Sequence, residues 1–123
     1  MKESLWLSAG GIVGTLARYW IGSWVATRMG TAFPYGTFLI NVSGSFTLGL
    51  LMGLVDRGVL TPALRLMLAV GFCGAYTTFS TFVYETLRLV QSGSVLFAFL
   101  NVAGSLVTAL LFGLFGLTAG RLM

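Results

Sequence analysis

From Pro62 to Leu89 the chain runs through a segment too apolar for water and too long for a straight crossing of a bilayer. As one continuous helix it would measure about 40 Å, against a hydrocarbon core of about 30 Å. It must tilt steeply or break, and its middle, Gly71 to Glu85, favours a break. Gly71 and Gly74 lower helix propensity, while Thr77, Thr78, Ser80 and Thr81 offer the backbone hydrogen bonds outside the helical ladder. Non-helical backbone at membrane depth survives only when it is buried in protein or lines a polar cavity. Carbonyls freed at such a place suit a small cation. Just beyond it, Phe79 and Phe82 lie three apart, so both rings leave one helical face. Such a pair either packs against neighbouring helices or lines the break.

Of the 123 residues, 57% are hydrophobic and 8% charged, where a soluble domain carries about 25% charged residues. The chain is therefore an integral membrane protein, one compact helical unit over residues 1–123 with no separate soluble domain. It contains no His and a single Cys, Cys73. A disulfide within the chain is excluded, and zinc, haem and Cys/His catalysis have almost no ligands to draw on. Cys73 reads as a small apolar packing residue. The net charge of +4 comes from basic residues scattered over short loops, which suits lipid headgroups, and no basic run is long enough for nucleic acid. Lys2 followed by an apolar run loosely resembles a signal peptide, but Arg18 interrupts that run, so it reads as a membrane segment that is kept.

Four apolar segments predict an all-α fold with four transmembrane helices, at about Ser4 to Thr27, Gly36 to Val55, Pro62 to Leu89 and Val95 to Ala119, the third broken mid-membrane. In the first, Gly10-x-x-x-Gly14 is a close-packing motif. Arg18 lies about 14 Å from the far end of that segment, a long reach for snorkelling. It either faces protein or water, or anchors a tilted helix at the interface. In the second, Thr37, Asn41, Ser45, Gly49 and Gly53 recur every four residues, a stripe that must face another helix or a pore. Asn41 is costly to leave unpaired in hydrocarbon, so it bonds a neighbouring helix or a permeating solute. The fourth segment repeats the second, with Asn101-Val102-Ala103-Gly104-Ser105 echoing Asn41-Val42-Ser43-Gly44-Ser45. Asn101, Ser105 and Thr108 share one of its faces.

An even number of crossings puts both termini on one side with Arg57 and Arg65, leaving Arg28 and Arg88 on the other. The bias in positive charge is small, so the chain is expected to insert both ways and to pair as an antiparallel homodimer. Glu85 and Arg18 lie toward the same membrane face, where they could pair or line one vestibule. No nucleophile–base pair or pair of carboxylates is present, so catalysis is not expected. A path of amide and hydroxyl donors with aromatic ring edges suits a small hard anion, because ring edges carry the positive part of the quadrupole. Such a path avoids a fixed buried cation that would hold the anion too tightly.

Gly74-Ala75-Tyr76-Thr77-Thr78-Phe79-Ser80-Thr81-Phe82 resembles the central signature of the Fluc (CrcB-type) fluoride channels. Gly36-Thr37-Phe38-Leu39-Ile40-Asn41 resembles that family's second-helix motif, and Gly11 through Gly14 to Arg18-Tyr19 its first-helix motif. The resemblance spans nearly the whole chain. It implies a dual-topology homodimer in the bacterial plasma membrane with two fluoride pores and a structural sodium ion at the dimer centre. By the same resemblance Phe79 and Phe82 are the pore phenylalanines and Asn41 donates to the ion. Thr37, Ser80, Thr81 and Ser105 line the polar path, joined here by Asn101 and Glu85, with Arg18 in the vestibule. Gly74 and Thr77 give backbone carbonyls to sodium. The family commonly has two glycines at the break, and here the second is Ala75, with the bulky Tyr76 beside it. A passive fluoride channel is the expected function. A proton-coupled small multidrug exporter and a non-conducting assembly subunit are the alternatives.

Overall fold

The computed structural model describes residues 1–123 and is helical throughout, without a strand. Helix α1 covers Lys2–Met29 and α2 covers Tyr35–Asp56. The third apolar segment divides into α3 (Pro62–Leu64), a π-helical stretch Arg65–Cys73, α4 (Gly74–Tyr76) and, after a two-residue interruption, α5 (Phe79–Gln91). Helix α6 covers Val95–Leu122. Each helical stretch outruns its apolar segment by a turn or less. Thr61 starts the third segment by accepting a hydrogen bond from the Leu64 N–H at 3.3 Å, with Pro62 in the first turn where its missing N–H is harmless. Gly93, at φ 81°, ends α5 in the left-handed conformation that glycine adopts without strain.

Three stretches are long and apolar enough to cross a membrane: Tyr35–Asp56, Pro62–Gln91 and Val95–Leu122. Helix α1 is as long as α6, at 28 residues each.

The helices pack as two pairs, each pair running parallel. Within a bilayer apolar side chains gain nothing by leaving lipid, so association depends on close backbone approach at small residues. Helix α1 lies on residues 65–76 through Gly10 and Gly14. A Cβ on Gly10 would run into the Met67 carbonyl, and one on Gly14 into the Phe72 carbonyl. Helices α2 and α6 meet in the same way through Gly49 and Gly53 on one side and Gly116 and Gly120 on the other. A Cβ on Gly53 would lie 2.8 Å from Gly120 Cα, and one on Gly116 would lie 3.0 Å from Leu50 N. The four-residue stripe of α2 thus has two uses. Its glycine end seats α6, and its polar end, Thr37 to Ser45, faces the interruption of the third segment. Cys73, 1% exposed, is packed with Leu51 and Ala69 between the pairs.

At the far end of α2, Arg121 Nη2 meets Asp56 Oδ2 at 2.7 Å, and Arg57 Nη1 donates to the Arg121 carbonyl at 3.2 Å. Both members of the ion pair are half-exposed, so it aligns two helix ends and adds little stability.

Candidate functional site

The interruption falls at Thr77 and Thr78. Both have extended backbone, with φ −75° and ψ 159° at Thr77 and φ −148° and ψ 122° at Thr78. β-branched residues suit that conformation. No residue at the break takes positive φ, so Ala75, inside α4, meets no penalty that a glycine would have avoided. One side chain of α2 pairs the main chain of the break directly. Asn41 Nδ2 donates to the Thr78 carbonyl at 2.9 Å, and the Thr78 N–H donates to Asn41 Oδ1 at 2.8 Å. The amide thereby pairs both main-chain groups of one residue, as a neighbouring strand would, and keeps one N–H to spare.

Helix α5 then restarts on a capping residue. Thr78 Oγ1 accepts from the Thr81 N–H at 3.3 Å and donates to Thr81 Oγ1 at 3.0 Å. These bonds divert the donors that an unbroken helix would send back one turn. Thr78 N–H no longer serves the Gly74 carbonyl, and Thr81 N–H no longer serves the Thr77 carbonyl. The Thr77 carbonyl receives a long contact from Arg18 Nη1 at 3.5 Å, which leaves it a lone pair.

Tyr76 is accommodated by the helix beside it. Its ring stacks on Phe72 at 5.4 Å between centroids and 10° between planes, and its hydroxyl lies 2.9 Å from Ser43 Oγ. Gly44 makes the room, since a Cβ there would lie 3.1 Å from Tyr76 Cδ1. Ser43 already donates to Leu39 O at 2.7 Å, so Tyr76 is the donor between the two hydroxyls. Tyr76→Phe should therefore lower stability by about 1 kcal/mol, the worth of one neutral hydrogen bond. Thermal unfolding in detergent checks this, and an unchanged midpoint would remove the bond from the account of how the break is held.

Two cavities meet at the break, with Thr78 in the wall of both. The smaller, about 250 Å³, is a cleft lined by Asn41, Ser45, Phe79, Phe82 and Ser105 among others, with no ionisable side chain in its wall. The two rings stand 5.8 Å apart between centroids at 38°. Phe82 is buried, at 8% exposure, whereas Phe79 is 74% exposed, so the cleft is open on the side where Phe79 stands.

The larger cavity, about 940 Å³, opens toward the loop between α1 and α2 and is lined by Thr37, Thr81, Arg18, Glu85 and Arg88 among others. Arg18 and Glu85 share this wall and form no ion pair there. Glu85 Oε2 is buried without a hydrogen-bond partner.

The remaining residues singled out from the sequence lie at or near this site. Ser80 is exposed at the start of α5 and lines neither cavity. Asn101 is fully buried behind Ser105 and donates to Thr86 Oγ1 at 2.9 Å. Gly74 is exposed, and a Cβ there would meet nothing within 4 Å in this chain. Thr78 emerges only in the structure as the cap of α5, since Thr81 at the third position after it is no capping-box residue. Thr86 and Ser43 carry no signal in the sequence, because their hydroxyls look like many others in the chain.

Residues 5–117 match the family model described as CrcB-like protein, Camphor Resistance (CrcB). The chain belongs to the CrcB family. Among curated CrcB relatives, the Fluoride-specific ion channel FluC of Acidobacterium capsulatum is 50% identical over 118 residues, covering 95% of this chain and 94% of its own length. Proteins of the same name from Geotalea uraniireducens and Chloroflexus aurantiacus are 43% and 44% identical over 122 residues, covering 98% of this chain and 98% and 97% of their own lengths. CrcB proteins are channels, so this chain is not an enzyme. It is a multi-pass protein of the bacterial inner membrane.

Proposed function

We propose that this chain forms a passive fluoride channel that lets fluoride leave the bacterial cytoplasm, with two copies inserted in opposite directions as the conducting unit. In this reading α1 is the fourth crossing, and the second copy closes the open side of each cleft against Phe79. The observation that carries the proposal is the uncharged cleft of Asn41, Ser45, Phe79, Phe82 and Ser105, in a chain whose relatives are named fluoride-specific channels.

Fluoride is small and strongly hydrated, so a path must replace its water shell as the ion sheds it. The spare N–H of Asn41, the hydroxyls and the positive edges of the two rings are donors of that kind. None is a fixed cation, so the ion is held weakly enough to leave. The wider cavity serves as the vestibule, with Arg18, Thr37, Thr81 and Glu85 along its wall. Asn101 then acts from behind Ser105.

Sodium enters the proposal as a structural ion. The Gly74 and Thr77 carbonyls, relieved of their helical donors, are ligands of the kind a sodium ion takes. One chain supplies only two of them, and two copies meeting at the break would supply four. Exchange into sodium-free medium during refolding is expected to shift the protein from dimer toward monomer in size-exclusion chromatography. A dimer that survives unchanged would argue against these carbonyls as ion ligands.

The direct test of function is efflux from liposomes that hold only this purified chain. Fluoride should leave quickly and chloride should stay behind. Equal passage of both ions, or of neither, would reject the proposal. The family assignment does not favour a proton-coupled exporter, and fluoride efflux through the chain alone would reject a non-conducting subunit.

A further inference from the structure

Behind the cleft runs a chain of polar groups that joins two of its lining residues, Ser105 and Phe82. Ser105 Oγ donates to Asn101 Oδ1 at 3.4 Å, Asn101 Nδ2 donates to Thr86 Oγ1 at 2.9 Å, and Thr86 Oγ1 donates to the Phe82 carbonyl at 2.8 Å. Every donor points the same way, from Ser105 toward the main chain of Phe82. Asn101, at its middle, has 0% exposure.

Ser105 differs from three other hydroxyls on these helices. Ser45, Thr86 and Thr118 each donate to the carbonyl one turn back at 2.7, 2.8 and 2.8 Å. Those hydrogens are committed to strong local bonds. The single hydrogen of Ser105 instead rests on Asn101 at a distance near the weak limit of hydrogen bonding.

We infer that Asn101 is a positioning residue for permeation, holding the Ser105 hydroxyl off the helix ladder so that its hydrogen can turn to an anion entering the cleft. The inference rests on the reading of that cleft as the fluoride path. Asn101 is itself clamped to Thr86, so its amide stays in place when the hydroxyl turns away. Without Asn101, the Ser105 hydrogen falls back onto the carbonyl one turn earlier, where a stronger bond competes with the ion.

The test is a double-mutant cycle on initial fluoride efflux from liposomes, using the full-length chain as wild type, Asn101→Leu, Ser105→Ala and the double variant. Each single substitution should slow efflux about tenfold, the worth of one hydrogen bond. The double variant should be slowed no further, because both changes remove the same donor. All four proteins should elute alike in detergent. A double variant about a hundredfold slower, the product of the single effects, or an Asn101→Leu protein as fast as wild type, overturns the inference while leaving the fluoride reading intact. Wild-type protein that passes no fluoride overturns both. If Asn101→Leu fails to assemble, Asn101→Ala, which also leaves the Ser105 hydroxyl no side-chain acceptor, completes the same cycle with the same outcomes.

Discussion

Phe82→Ile is expected to cut fluoride efflux from liposomes roughly 100-fold while the protein still folds and assembles. Phe82 is buried in the wall of the small cleft, 5.8 Å from the Phe79 ring between centroids. Isoleucine fills much of the same space, so the change removes little packing. It removes the ring, and with it the positively polarised edge offered to an anion that has given up its water. A hydrogen bond to a charged group is worth about 1.5–3 kcal/mol, and about 2.7 kcal/mol corresponds to a hundredfold in rate. The measurement is initial efflux followed with a fluoride electrode, beside an elution profile of the variant. Normal efflux from a well-folded Phe82→Ile protein would take the ring edge out of the mechanism.

Gly116→Ala should destabilise the fold by about 3 kcal/mol or more, although it adds only one methyl group. The new Cβ would fall against the Phe46 carbonyl and lie 3.0 Å from Leu50 N. Neither is a side-chain tip that can swing aside, so α2 and α6 must part along their whole contact. Gly113→Ala, one turn earlier on the same helix, is the control. Its Cβ would lie 3.7 Å from the Ser45 carbonyl, an ordinary van der Waals distance, and the variant should be near neutral. Thermal unfolding of the two proteins in one detergent decides the point. Equal midpoints would mean that the α2–α6 contact tolerates separation and that close backbone approach is not what holds it.

Much of the architecture is legible in residue types. An apolar chain with 8% charged residues belongs in lipid, and in lipid an unpaired backbone group is too costly to leave, so helices follow. The excess length of the third segment, with its glycines and threonines, marks an interruption, and the structure has one at Thr77 and Thr78. Spacing also makes a stripe of α2, because residues four apart share a face in any helix.

Side-chain partners are another matter. That Asn41 is clamped by both main-chain groups of Thr78, and that Asn101 sits behind Ser105 and reaches Thr86, depends on which helices lie side by side and at what height. The echo of Asn41 to Ser45 in Asn101 to Ser105 suggests equal roles. The structure gives the first asparagine backbone to bind and the second a threonine hydroxyl. Arg18 and Glu85 share a membrane face by helix direction, yet they do not pair, because a shared face says nothing about the direction in which each side chain leaves its helix.

Composition and period, then, determined the solvent, the helices, the break and the close-packing faces, since each of these depends on residues near one another in sequence. Tertiary structure alone decided which freed donor meets which acceptor, and so where the uncharged cleft lies. Those pairings join residues about 15 to 40 positions apart, and distances of 2.8–2.9 Å between them follow only once the helices have docked.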